Sequence, residues 1–426
     1  LILKRSSVPD IKQLGKPWFS QADHRNPEKS AIVIGGGLAG CSTAYSLAKR
    51  GWQVTILEQH EALASEASGN PQGVLYAKLS ADNTPLSQFI LHGYHYSIDL
   101  LKQLNIQDWQ QCGVVQLAVN DKTNQRYQAL DAQHPDDLLQ YMNAQQLSEI
   151  AGLDIHHSGL FFPAAGWVHP PALCRALVDH STIKTVKNSL VNEISPENNE
   201  WVIKSDSGEF RSKTIIIAQG TASSRFNQLR YLPLKSIRGQ ITRVKATHQS
   251  QKLSTCVCGE GYIAPAIKGE HTLGATFHFN DASLAIRDQD HQENLNMQQQ
   301  WFPTSYDAIG GDHIEITGGR TGFRCTTPDY LPIVGPVVHH QSFLDTYAPL
   351  RKNSKLPLTD KPDYFDGLYV TTGHGSRGMI SCPISGEILA DMITGDESYT
   401  NPLPATLKEA LHPSRFLIRD LIKNKQ

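Results

Sequence analysis

Apolar, β-branched residues gather at Ala31–Ile34 (AIVI) and run straight into glycine, which predicts a buried parallel strand ending in a tight turn. The turn reads Gly35-Gly36-Gly37-Leu38-Ala39-Gly40. Beyond it, Cys41–Arg50 has helical spacing, with Ala44, Leu47 and Ala48 on one face, and Gly51 supplies a left-handed stop. Val54–Leu57 predicts a second strand with Glu58 at its carboxyl end. Thr214–Ala218 (TIIIA) predicts another buried strand, ending in Gln219-Gly220 and following a hairpin-like stretch from Lys187 to Arg211. Near the other end of the chain, Leu368–Thr371 (LYVT) leads into Gly373-His374-Gly375-Ser376-Arg377-Gly378, then into helical spacing over Ile384–Ile393. The first thirty residues are polar and broken by Pro9, Pro17 and Pro27, so an arm or linker is expected there.

Strand, glycine turn, helix, second strand and acid, in that order, meet the mechanical demands of holding a dinucleotide. Gly35 permits the tight turn, Gly37 lets the backbone approach a pyrophosphate, and Gly40 lets the helix pack close to the strand. The helix amino terminus then turns its N–H groups and positive dipole end to the diphosphate. Glu58 lies 18 residues beyond Gly40, close to the ~20 expected of a carboxylate that grips ribose hydroxyls. A second glycine junction near the far end suits a long cofactor, with one turn for the diphosphate and one for a flavin ring. Its bland alternative is a capped helix packed on the sheet.

Composition narrows the class. At 426 residues, 39% hydrophobic and 8% aromatic, the chain reads as a folded protein of two intimately connected domains. Its 39 Lys and Arg against 41 Asp and Glu give no global pull toward nucleic acid, so any such binding needs a local patch. Arg415, Arg419 and Lys423 offer one on a short helix, with Leu417, Ile418, Leu421 and Ile422 opposite. Lys235, Arg238, Arg243 and Lys245 offer another around a predicted strand, and a merely solvated basic face is the plain alternative for both. The seven cysteines are scattered, and the Cys256–Cys258 spacing fits neither a zinc knuckle nor a redox CxxC. Reduced thiols, a cytoplasmic location and no metal are the expectations. No apolar run approaches the ~18 residues of a membrane-spanning helix, and the first thirty residues lack a signal-peptide core. The chain opens at Leu1 rather than methionine, which leaves room for a segment upstream.

Several blocks resemble the D-amino-acid oxidase, glycine oxidase and sarcosine oxidase superfamily. Within it, the chain from about Trp18 onward resembles the FAD-dependent C-terminal half of the bifunctional tRNA 5-methylaminomethyl-2-thiouridine biosynthesis proteins. The resemblance rests on Ala67-Ser68-Gly69-Asn70-Pro71-Gln72-Gly73 after the second strand, and on Phe162-Pro163 with Gly166-Trp167-Val168. It rests equally on Gly322-Phe323-Arg324-Cys325-Thr326-Thr327-Pro328-Asp329, on Ser376-Arg377-Gly378, and on Pro413-Ser414-Arg415. Two features depart from the family. Its upstream methyltransferase domain is not in this sequence, so methylation is not assigned to the chain. The glycine junction carries His374, nearer to glycine oxidase relatives.

The resemblance implies an α/β fold: a Rossmann-like FAD-binding domain with an inserted antiparallel-sheet (α+β) substrate domain, glycine oxidase-like. It divides the chain into an arm (1–30), a discontinuous FAD domain (31–112, 166–227 and 324–411), a substrate domain (113–165 and 228–323) and a basic C-terminal helix or tail (412–426). Noncovalent FAD is implied, held by Gly35, Gly37, Leu38, Ala39, Gly40, Glu58, Ser68, Gly69, Asn70, Gln72, Gly73, Val191, Ala218, Gly220, Gly373, His374, Gly375, Ser376, Arg377, Gly378 and Met379. The implied reaction removes the carboxymethyl group oxidatively from 5-carboxymethylaminomethyl-(2-thio)uridine at the tRNA wobble position, giving the aminomethyl uridine and glyoxylate. Arg324 stands where the superfamily clamps the substrate carboxylate, a task that suits a planar, two-pronged cation. Tyr262 either donates a phenolic hydrogen bond to that carboxylate or is a half-buried core tyrosine.

The junction around His374 and Arg377 is expected to supply positive charge and N–H dipoles to the reduced ring rather than an acid or base. Cys325 reads as a small core residue, not as a flavin attachment point. No acid/base dyad stands out, and none is required if the neutral amine is bound. Two alternatives stay open: an FAD oxidase of free glycine- or sarcosine-like amino acids, and an inactive flavoprotein fold serving as a tRNA-binding module. The implied partners are tRNA bearing a modified wobble uridine and a methyltransferase domain or protein upstream.

Overall fold

The computed structural model describes residues 16–22, 26–396 and 403–425. Residues 1–15 and 23–25 of the expected arm lie outside the described residues. The part that is described docks: Trp18 meets Tyr347 edge-on at 5.8 Å between ring centroids.

The β-branched runs assemble into a six-stranded sheet. Its order is Ile333–Val338, Tyr364–Thr372, Ile215–Ile217, Ser30–Ile34, Gln53–Leu57 and Ile183–Val186. All neighbours are parallel except the first pair. Val33 sits opposite both Ile216 and Ile56, and Ile215, Ile216 and Ile217 are fully buried, as a strand covered on both faces must be. Two helices, Leu38–Lys49 and Gly378–Thr394, cross closely on this sheet, since a Cβ on Gly386 would lie 2.7 Å from the Ser42 backbone. Where a hairpin-like stretch was expected, Val191–Glu197, Glu200–Ser205 and Gly208–Ser212 form a three-stranded antiparallel meander.

A second, nine-stranded sheet carries the long strand Lys235–Lys245. One edge of that strand pairs with Ile316–Thr326, and the other with His278–Phe279 and then Glu270–Gly274. The Ile316–Thr326 strand runs unbroken through position 324, so this sheet holds Arg324. Register then sets two rows across three strands. Phe279, Ile237 and Arg324 form one, and His278, Arg238 and Phe323 the next. Successive residues of a strand point to opposite faces, so the two rows serve opposite faces of the sheet. The helix Asp288–Trp301 covers the Arg238 face, where Asp290 bonds Arg238 and His291 bonds Thr242.

Among the described residues no helix is long and apolar enough to cross a membrane. The terminal helix Arg415–Ile422 buries Phe416, Leu417, Ile418 and Leu421. It corrects the reading of Arg415 as a cation offered to phosphates. Arg415 is buried and forks onto Asp329, at 2.9 and 3.0 Å, while also donating to the Leu331 and Leu411 carbonyls. Arg419 is partly exposed and bonded to Asp420 at 3.0 Å, which leaves only Lys423 of the three fully exposed. The second cationic cluster thins for the same reason, because three of its four charges already have partners and only Lys235 is left without one among the described residues. Arg238 pairs with Asp290, Arg243 with Glu270 and Lys245 with Glu315.

Candidate active site

The first glycine turn has the geometry its sequence demands. Gly35 adopts φ +111°, and a Cβ there would strike the Ala218 carbonyl at 2.6 Å. A Cβ on Gly40 would lie 1.9 Å from the Gly35 oxygen, so only glycine lets the helix start this close to the strand. Glu58 takes the Gly36 amide at 2.7 Å and the His60 amide at 2.9 Å, which fixes its carboxylate beside the turn. Ser68 accepts the Leu38 amide at 3.1 Å. The amides of Gly37, Ala39 and Gly40 have no protein acceptor among the described residues. These donors at a helix amino terminus are suited to an anionic diphosphate.

The distant segments named from the sequence converge on this turn. A Cβ on Gly378 would come 3.8 Å from Leu38, and one on Gly73 would lie 3.2 Å from Met379. Gln72 is buried and donates to the Pro265 carbonyl at 3.0 Å, tying the loop to the second sheet. Gly69 packs beneath Arg320, whose guanidinium grips the Ser65 and Glu66 carbonyls and reaches Asn70 at 3.3 Å. Gly220, at φ +56°, accepts from Thr372 at 2.9 Å. Val191 sits in the apolar cluster that includes Ile34 and Leu57.

At the far junction Gly373 and Gly375 take φ +78° and +59°, and Gly375 donates to the Cys325 carbonyl at 2.6 Å. His374 hydrogen-bonds Thr371 at 3.1 Å and Ser381 at 2.9 Å, one hydroxyl on each ring nitrogen. Burial pulls its imidazole down to about 4, so it anchors the turn as a neutral ring. Ser376 is exposed at the tip. The positive charge of the junction falls to Arg377, which has no carboxylate partner among the described residues. Burial raises the Cys325 thiol, which keeps it protonated and unreactive.

Arg324 is the second cation without a counter-anion. Among the described residues its guanidinium makes a single hydrogen bond, to the Thr276 carbonyl at 3.1 Å, and lies 5.3 Å from the Phe277 ring centre. It rests on bare backbone, since a Cβ on Gly239 would come 2.1 Å from Nη1. Burial lowers the Arg324 pKa while Tyr262 opposes the shift. Burial pushes the Tyr262 phenol well up while Arg324 opposes it. The two side chains are therefore near enough to feel each other's charge. The Tyr262 hydroxyl has no protein partner among the described residues.

A turn that only glycine can form, vacant helix-terminal amides, a carboxylate at the second strand and an unpaired arginine at the far junction fit FAD. A family model described as FAD dependent oxidoreductase matches residues 30–392. The chain belongs to the FAD dependent oxidoreductase family. It is 47% identical over 416 residues to the tRNA 5-methylaminomethyl-2-thiouridine biosynthesis bifunctional protein of Chromobacterium violaceum, covering 96% of this chain and 62% of that protein. The same protein of Pseudomonas fluorescens is 47% identical over 415 residues, with the same coverage. The chain thus spans 62% of the length of these relatives. Glycine oxidase from Geobacillus kaustophilus shares the fold with TM-score 0.72 at 20% identity, over 92% of this chain and 99% of that one. L-proline dehydrogenase from P. horikoshii does so with TM-score 0.70 at 19% identity, over 92% and 99%. FAD is the cofactor of this flavoprotein family, and the chain is an FAD-dependent oxidoreductase.

Sequence reasoning missed Phe277, Gly239 and Arg320 at this site. Gly239 left a signal: a glycine inside a strand pattern marks close approach, here of a guanidinium. On the covered face, His278, Asp290 and Glu293 bring ligand atoms within 4.8 Å of one another. The other Asp290 oxygen is taken by Arg238 at 2.6 Å, so the cluster extends that ion pair.

Proposed function

We propose that this chain oxidises the carboxymethylamino group of 5-carboxymethylaminomethyl-(2-thio)uridine in tRNA. The observation that carries the reading is a half-buried arginine without an anion, electrostatically coupled to a phenol without a partner, among the described residues. An N-substituted glycine brings the missing carboxylate. Arg324 receives it on two prongs, and the Tyr262 hydroxyl donates to the same group. Clamping the carboxylate fixes the methylene between it and the nitrogen, the carbon that must lose hydride. Bound FAD supplies the two-electron acceptor.

Water then adds to the substrate imine and the C–N bond breaks. Overall, R–CH2–NH–CH2–COO⁻ and water yield R–CH2–NH2 and glyoxylate, with two electrons and two protons delivered to the cofactor. The backbone amides at Gly37, Ala39 and Gly40 hold the diphosphate, and Glu58 the ribose. The buried, protonated Cys325 thiol supports noncovalent attachment. The similarity to tRNA-modifying proteins supports tRNA as the partner, a cytoplasmic location, and a methyltransferase acting on the product amine. The test is anaerobic mixing of the yellow holoprotein with tRNA bearing the carboxymethylaminomethyl group. Bleaching by that tRNA and not by free glycine is expected. Bleaching by free glycine alone, or by neither, overturns the reading.

A further inference from the structure

We propose that Phe277 and Phe279 form a shelf on which unpaired nucleobases next to the modified uridine stack. This deepens the reading of the site as one that acts on tRNA. Exposed apolar side chains that touch one another form a patch of the kind that marks an interaction surface, whereas single scattered ones do not. Phe277 is 48% exposed and Phe279 58%, and their rings meet edge-on with centroids 5.3 Å apart.

Register places the shelf. Phe279 lies opposite Ile237, and Ile237 opposite Arg324, so Phe279 shares a face with the carboxylate clamp. Phe277, two residues earlier, shares it too, and its ring flanks the Arg324 guanidinium. His278, between them, turns to the covered face and Asp290. The shelf is thus continuous with the pocket: one ring touches the clamp and the next extends outward. Lys235 stands exposed two residues before Ile237 on the same strand, with no ion-pair partner among the described residues, a cation beside the shelf for a backbone phosphate.

That arrangement decides the occupant. A substrate that is one modified residue of a polymer must enter with its neighbours attached. Single-stranded RNA is recognised by splayed bases stacked on aromatic rings, with cations at the phosphates. A protein domain seated on the same face would close the pocket mouth. Stacking tolerates any base, so the shelf supplies affinity, while the carboxymethylamino group supplies the selection.

The experiment uses the FAD-loaded protein as wild type, Phe279→Ala and Phe279→Trp. Ile237 stands between Phe279 and Arg324 in their row, and the ring against the guanidinium is Phe277, so flavin reduction by the free modified nucleoside is expected to be unchanged in both variants. Binding of an anticodon stem–loop RNA, followed by fluorescence anisotropy at fixed salt, is expected to weaken about 5- to 150-fold in Phe279→Ala. It should recover in Phe279→Trp, while duplex RNA of equal length shows no difference among the three. Wild-type stem–loop affinity in Phe279→Ala overturns the shelf, whether the face is then idle or covered by a protein partner. Equal weakening for duplex and stem–loop also overturns it. A stem–loop held through Phe279 with modified tRNA that never bleaches the flavin would uphold the shelf and sink the proposed reaction instead.

Discussion

Arg238 and Arg324 lie on adjacent strands, one opposite Phe323 and the other opposite Ile237, yet their side chains leave by opposite faces. On the face covered by Asp288–Trp301, Arg238 is fully buried and satisfied. It bonds Asp290 at 2.6 Å and the Ser283 and Ala285 carbonyls at 2.8 and 2.7 Å. On the other face, Arg324 has one carbonyl, one ring and no anion among the described residues. Taking a cation from water costs several kcal/mol unless it is paired. The first face meets that cost within the chain. The second leaves it unmet until a carboxylate arrives. What tells the structural arginine from the functional one is the partner list: one guanidinium is fully buried against an anion, the other half-buried without one among the described residues.

The contrast breaks first if Arg238 proves dispensable. Arg238→Met leaves the buried Asp290 carboxylate without its cation, and about 4 kcal/mol of unfolding free energy should be lost, measured by urea denaturation of the FAD-loaded protein. Adding Asp290→Asn should restore part of it. Unchanged stability would make the two faces equivalent.

Arg324→Ala should do the reverse. Stability without substrate should hold or rise slightly, and flavin should stay bound. The second-order rate of flavin reduction by substrate should fall about 100- to 1000-fold, roughly 3–4 kcal/mol of lost carboxylate binding. Lysine at this position should recover only part of the loss, being one-pronged. Normal reduction by Arg324→Ala would remove the clamp from its role. Tyr262→Phe removes a single hydrogen bond to a charged group, so a smaller loss of about 10- to 30-fold is expected in the same assay. No loss at all would return Tyr262 to the core.

The parts legible in the sequence were those written locally. Gly35 and Gly40 are forced by a turn within six residues, and Glu58 by the end of the next strand. Arg324 came from the resemblance of its flanking block, and the structure supplies the reason it suits a clamp. What failed was written at long range. Arg415 sits on a helix with basic spacing, but its partner Asp329 is 86 residues away, and no local pattern shows that pairing. The same holds for Arg238, whose partner is 52 residues off. The Phe279–Ile237–Arg324 row is a matter of register between three strands. Alternation alone could not align them.

The smallest effect concerns pH, and it separates what titrates from what does not. On the open face burial holds the Tyr262 phenol protonated far above neutral, and Arg324 keeps its charge although burial lowers it. His374 is neutral above about pH 4. Flavin reduction should therefore rise with pH through one ionisation, that of the substrate amine, because a protonated nitrogen has no lone pair to assist hydride loss. Tyr262→Phe should lower the curve without moving its midpoint; a moved midpoint would show the phenol exchanging a proton with the amine. Stability is where His374 registers. Its folded pKa of about 4 lies below the ordinary histidine value of 6.5. Between those values the unfolded chain binds a proton that the native ring refuses. Stability should rise with pH across that window, by at most about 1.4 kcal/mol per unit from this ring. His374→Gln should flatten that slope by up to one proton, as read from urea midpoints at successive pH values. An unaltered slope would mean the ring is protonated in the native turn, and the positive charge at the flavin junction would then not rest on Arg377 alone.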